Sequence, residues 1–334
     1  MLRREGMPPR PVRSELTMLS RVADSLYWMS RYLERAEHTA RVINIQLNLM
    51  LERGSQSEDL DWARVGRSLG MESPEDENDW SEESLAQSLL HDASNRSSIV
   101  ASIVNARENA RQVREQISSE MWEQLNRLFH AVRRSSPDVW DSRDFLQSIK
   151  EGAHLFQGIT DSTMTHGEGW QFIQAGRYLE RAVALSTLVG AHFVEFHQPA
   201  PAGAERVYLE WIGLLRSCTA FEAYCKAYTA DVKPERIAEF LVLHATFPHS
   251  IRFSAEALET AIKEIGREAG SRRAARVERI AGRLRATLGF SQIDEIMAGG
   301  LHPYLHELLR QCGQVHSALY QTYISYPIEA ALEA

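Results

Sequence analysis

The hexapeptide RYLERA occurs twice in this 334-residue chain, at 31–36 and 177–182, an offset of 146 (31 to 177). On a helix, positions i, i+3 and i+4 share a face, so Arg31, Glu34 and Arg35 form one stripe of alternating charge and Arg177, Glu180 and Arg181 form another. Neighbouring Glu and Arg diverge by about 100° around the axis, which directs pairing to residues one turn away or to a facing helix. Two chemistries are open to such stripes. One is a partly buried ion-pair network that fixes helix register. The other is an anion clamp, in which the surplus arginine holds a carboxylate or phosphate through parallel hydrogen bonds. The run NARENARQVR adds a third polar face, with Asn105, Arg107, Glu108, Asn109, Arg111 and Arg114, that either joins the clamp or meets solvent.

Other spacings admit other chemistry. Glu151 and His154 make an ExxH, the pattern by which one helix offers two ligands to a di-iron centre, but such bundles use it twice and add two carboxylates. One copy is present here. His302 and His306 are four apart and could share a metal, yet the Glu of HExxH is missing, so neither a metal nor a cofactor is expected. His38 lies one turn beyond Glu34 and is read as its hydrogen-bond partner. FPHSIRF at 247–253 places Ser250 to cap a helix whose free N–H groups could also hold an anion. Trp28, Trp170 and Trp211 fall on apolar faces and are read as core. There is no GxSxG elbow, no GxxxxGKS/T loop and no GxGxxG turn after a strand, which excludes the usual routes to serine acyl transfer, nucleotide hydrolysis and dinucleotide chemistry.

The elements that must position these residues are helices. Apolar residues from Val22 to Met50 recur every three or four positions without Gly or Pro, predicting one long helix over 20–52. The same spacing predicts helices over 59–69, 82–90, 97–117, 119–133, 143–162, 168–196, 205–228, 234–244, 250–266, 272–288 and 292–324. Strand-like alternation is absent, so the fold is predicted to be an all-α multi-helix bundle. The acidic run at 72–83 reads as a solvated loop and QPAPAG at 198–203 as a rigid connector.

Composition narrows the partners. With 37 Lys and Arg against 45 Asp and Glu, a net charge of −8 argues against binding nucleic acid by bulk electrostatics. Three cysteines cannot build a disulfide framework, and a reducing cytoplasm is expected. No apolar run approaches the roughly 18 residues of a membrane-spanning helix, so no membrane is expected as a partner. Residues 1–17 lack the apolar region of a secretory signal and read as a flexible tail, as do 327–334 at the other end.

Two further blocks follow RYLERA in the same order in both parts of the chain. LDWARVGRS at 60–68 matches LEWIGLLRS at 209–217, and 85–99 matches 237–251 through Ala86/Ala238, Leu89/Leu241, Ala93/Ala245, Ser98/Ser250 and Ile99/Ile251. Collinear blocks with small insertions point to a duplicated helical unit, with halves of about 18–164 and 165–326. Two copies of a unit much longer than the roughly 20 to 50 residues of solenoid repeats predict a compact bundle with pseudo-twofold symmetry, the two RYLERA helices burying their stripes against each other.

MLSRVADSLYWMSRYLERAEHTARV at 18–42, ARENARQVR at 106–114, EGWQFIQAGRYLERA at 168–182 and FPHSIRF together resemble the alpha-E domain family of bacterial all-helical proteins, over 18 to about 326. The resemblance places that family's Glu-Arg motif on Glu34, Arg35, Glu180 and Arg181, with Arg107, Glu108 and Arg111 in the ARENAR segment. It departs at NRSSI, 95–99, where a proline is expected before the serines, a matter of the local turn. It implies a setting beside a circularly permuted ATP-grasp protein and a transglutaminase-like cysteine peptidase, in a system that makes or trims a peptide or amide bond. The expected function is a binding and scaffold subunit that holds an anionic peptide or carrier. The alternatives are an enzyme using Glu34 or Glu180 as acid or base, and a purely structural protein.

Overall fold

Long runs of helix-spaced apolar residues without breakers dictate the architecture of the computed structural model, which describes residues 18, 20–53, 62–71, 82–134, 143–196, 204–229, 231–269 and 274–325. Its helices are α1 (Ser20–Arg53), α2 (Trp62–Ser68), α3 (Glu82–His91), α4 (Ile99–Gln112), α5 (Ser119–Arg134), α6 (Arg143–Thr163), α7 (Glu168–Phe196), α8 (Ala204–Ser217), α9 (Phe221–Tyr228), α10 (Pro234–Leu243), α11 (Ile251–Ala269), α12 (Ala274–Phe290), α13 (Ile293–Gly299) and α14 (Leu301–Leu319). No strand occurs among the described residues. The fold is all-α.

The helices that carry RYLERA, α1 and α7, lie against each other at the centre. Val22, Leu26, Met29, Leu33, Ala36, Ala40, Ile43 and Leu47 of α1 are all buried, as their spacing requires. Their closest approach is set by small residues. A Cβ added at Gly176, the residue before the second hexapeptide, would strike the Tyr27 carbonyl and the Ser30 hydroxyl, and Ser30 itself precedes the first hexapeptide. Around this pair the remaining helices pack in a matching order. Helices α4 and α6 flank α1 with α5 bridging them, while α11 and α14 flank α7 with α12 bridging them. Helix α2 follows α1 in the chain yet rests mainly on α7, and α8 follows α7 yet rests mainly on α1. The core that results joins residues of both groups into one apolar cluster.

Three helices predicted as continuous are broken. The 97–117 helix stops at Gln112 and yields to a 3-10 turn at Arg114–Gln116. The 205–228 helix splits into α8 and α9 at Thr219, whose φ of 51° is left-handed. The 292–324 helix splits at Gly300, with φ 93°, and ends in a π turn at Tyr320–Ile324. In each case the pieces on both sides face the same core, so apolar spacing runs on across the break. Residues 1–17, 198–203 and 327–334 lie outside the described residues, as does the acidic run except Glu82 and Glu83, which open α3. No described helix is long and apolar enough to cross a membrane.

Candidate functional site

The two charged stripes meet across the α1–α7 interface and satisfy each other crosswise. Arg181 Nε donates to Glu34 Oε1 at 2.6 Å and its Nη2 to Oε2 at 3.1 Å. In the other direction, Arg35 Nε donates to Glu180 Oε1 at 2.6 Å and Arg31 Nε to Oε2 at 2.7 Å. Arg177 approaches Glu34 at 3.9 Å and donates to Gln157 of α6 at 2.8 Å, while Gln157 donates to Glu34 at 3.3 Å. The cations are further held by rings. Arg35 lies over Tyr32 and Arg181 over Tyr178, 5.6 and 5.4 Å from the ring centres, and Arg31 lies 4.5 Å over Trp28.

A guanidinium has donors to spare, and the outward ones cap the neighbouring turns. Arg181 Nη1 donates to the Pro248 carbonyl at 3.1 Å and Arg35 Nη1 to the Arg96 carbonyl at 3.4 Å. Each carbonyl precedes by two residues the serine that caps α4 or α11, where Ser98 accepts from the Ala101 N–H and Ser250 from the Phe253 N–H. Arg96 therefore offers the same carbonyl as Pro248, and the missing proline of NRSSI leaves that bond in place. Glu34, Glu180 and Arg181 are buried, and Arg31 nearly so. Burial alone would raise the Glu180 carboxyl, but Arg31 and Arg35 outweigh it and hold the group below its ordinary range.

Other sequence-predicted residues fall elsewhere. Arg107 sits on the outer side of α4, donating to Asn126 at 2.7 Å and stacking 4.4 Å over Phe129 and 5.2 Å over Trp122. Glu108 and Arg111 pair with each other at 2.6 Å on the surface. None of these three joins the central stripes. Glu151 of the ExxH accepts from Gln147, and His154 turns away from it to Glu37 of α1, 3.5 Å distant. His302 and His306 line an open groove of about 630 Å³ between α7 and α14, with Thr187, Val194, Leu305 and Arg67. Among the described residues no three of His, Cys, Asp and Glu come together as metal ligands. Trp211 is core, but Trp170 is half-exposed, stacked on His166 at 4.2 Å and donating to Asp161. The bond expected between His38 and Glu34 is replaced by the Arg181 and Gln157 contacts, and His38 Nε2 makes no hydrogen bond.

Sequence reasoning passed over a second cluster, one turn beyond the first RYLERA. Glu37 and Arg41 of α1 are buried and lie 2.8 Å apart as an ion pair. Beside them stand Lys150 and His154 of α6, and His249 from the turn before α11. Burial would raise the Glu37 carboxyl, yet Arg41, with His154, brings it down to about 2. Burial, reinforced by Arg41, pushes His38 down to about 4, and His249 is lowered well below its usual value by burial and by Arg181 and Arg41. The signal was in the sequence. The first hexapeptide is followed by EHTAR at 37–41 and the second by VALST at 183–187, so titratable residues stand in one copy where the other has none.

A family model described as a predicted alpha-helical domain with a conserved ER motif matches residues 18–324. The chain belongs to the Alpha-E family. The Alpha-E description names an ER motif, and both RYLERA copies of this chain contain the dipeptide Glu-Arg, at 34–35 and 180–181. Uncharacterized proteins of Mycobacterium tuberculosis and Mycobacterium bovis are 27% identical to it over 322 residues, covering 90% of this chain and 35% of their own length. The chain thus spans about a third of the curated relatives it matches. No solved structure matches it.

Proposed function

We propose that this Alpha-E chain is a cytoplasmic helical scaffold subunit that acts with a circularly permuted ATP-grasp ligase, and with a transglutaminase-like peptidase, in a system forming or modifying a peptide or amide bond. Its role there is to hold an anionic peptide or carrier. The observation that carries the scaffold reading is the crosswise closure of Glu34 on Arg181 and of Glu180 on Arg31 and Arg35. Charges buried and paired in this way fix the register of two long helices and present a rigid body to a partner. The acid-base reading of Glu180 has less support, since a carboxylate enclosed by two guanidiniums stays ionised and is shielded from a substrate.

The two helical groups descend from one duplicated unit, with halves of about 18–164 and 165–326 related by a pseudo-twofold axis through the α1–α7 crossing. Supporting this are the repeated hexapeptide, the matching order in which helices flank α1 and α7, and the matching bonds from Arg35 and Arg181 to the turns before α4 and α11. The test is co-purification with the neighbouring ATP-grasp protein, followed by an amino-acid-dependent ADP-release assay with and without this chain. A stable complex with faster ADP release is the expected result. Absence of a complex together with unchanged ADP release overturns the proposal.

A further inference from the structure

Glu34 and Glu180 are closed on Arg181, Arg31 and Arg35, so a ligand for this protein has to be sought where buried polar atoms are left over. That place is the cluster beyond the first hexapeptide. Arg41 is 4% exposed; its Nη1 lies 2.8 Å from Glu37 Oε1 as an ion pair, while its Nε makes no hydrogen bond. His38 Nε2, His249 Nδ1 and Arg177 Nε are likewise sealed from solvent without a hydrogen-bond partner in the protein. Native interiors rarely leave so many polar atoms unmatched in one region. The charges do not balance either. Arg41, Lys150, Arg177 and Arg181 supply four cations against the three carboxylates of Glu34, Glu37 and Glu151.

We infer that this cluster is a binding site for an oxyanion, the carboxylate or phosphoryl group of a small or peptide-borne ligand, seated between Arg41, His38 and His249 and entered past Lys150 and His154 of α6. The spare guanidinium N–H, and the imidazole N–H groups in the tautomers that protonate His38 Nε2 and His249 Nδ1, match the acceptor oxygens of such a group, and a single added negative charge offsets the local surplus. His154, with a side chain 55% exposed and in contact with Glu37 at 3.5 Å, stands where the outer part of the ligand would pass. The second half of the chain has no such site, because Val183, Ala184 and Thr187 replace Glu37, His38 and Arg41. One anion per chain is therefore expected. The inference deepens the proposed reading by naming what the scaffold holds and where, and it is read on the isolated chain, so ligase co-purification succeeds or fails independently of it.

The test is isothermal titration of the full chain with inorganic phosphate and, separately, with acetate, each against chloride at equal ionic strength. Saturable binding of one phosphate or one acetate is expected, weakened at least tenfold by Arg41→Met and unaffected by Thr187→Ala at the matching position of α7. Because Arg41→Met removes a buried group, the mouth variant Lys150→Met/His154→Ala, at solvent-reachable positions, gives a second reading and is expected to weaken binding several-fold. Tighter phosphate than acetate assigns a phosphoryl ligand, and the reverse a carboxylate. No saturable binding of either anion to the wild-type chain overturns the inference, as does binding left unchanged in the folded variants.

Discussion

The two copies of RYLERA are followed by unlike segments, and the contrast separates what holds this protein together from what it has to spare. Within the hexapeptides, Glu34 and Glu180 each face arginines across the same interface, at the same distance of 2.6 Å for the closest pair of each. One turn later the copies part. EHTAR in α1 buries a carboxylate, an imidazole and a guanidinium, whereas VALST in α7 buries Leu185 in the core and turns Ser186 and Thr187 to the groove beside Leu305. Burying charge carries a desolvation cost that the uncharged residues at the matching positions of α7 do not incur.

The strongest way to break this comparison is to disable the clasp itself. Glu34→Gln leaves Arg181 buried without its counter-charge and is expected to cost about 3–5 kcal/mol of unfolding free energy, with Glu180→Gln costing a similar amount through Arg31 and Arg35. Urea denaturation measures both. A neutral result for either would show that the two clasps are not equivalent.

Acid sharpens the contrast between the segments that follow. The folded value of His38, about 4, lies below its ordinary 6.5, so the unfolded chain binds more protons between those values. Its contribution is intact above pH 6.5 and is lost as pH falls toward 4, a total of at most about 3.5 kcal/mol for a 2.5-unit difference at about 1.4 kcal/mol per unit. Glu37, depressed to about 2, adds a loss that begins below pH 4.5. Chemical denaturation from pH 7.5 to 4 is expected to show this slope, and His38→Leu to flatten its upper part; an unchanged slope would remove His38 from the account.

The smallest effect belongs to the ARENAR face. Glu108 and Arg111 pair on the surface, with side chains 45% and 61% exposed, and Arg111→Ala is expected to leave the thermal unfolding midpoint unchanged. A clearly lowered midpoint would mean that this pair does more than decorate α4.

Much of this was legible in the chain. The 3.6-residue spacing from Val22 to Leu47 located α1, and two stripes of like pattern could be expected to seek each other. Other features were not. The break at Thr219 carries no glycine to announce it, Trp170 shares an apolar face with core residues yet stands at the edge, and ExxH joined Glu151 to His154 on paper while the fold gave His154 to Glu37.

Periodicity alone fixed that the protein is helical and that 20–52 and 168–196 form long helices, because a helix face follows from local geometry. Which arginine answers which glutamate, and that Lys150, His154 and His249 gather around Glu37 and Arg41, was decided only by tertiary packing. Desolvation and Coulomb energy depend on every group brought close in space, and those groups come from parts of the chain more than a hundred residues apart.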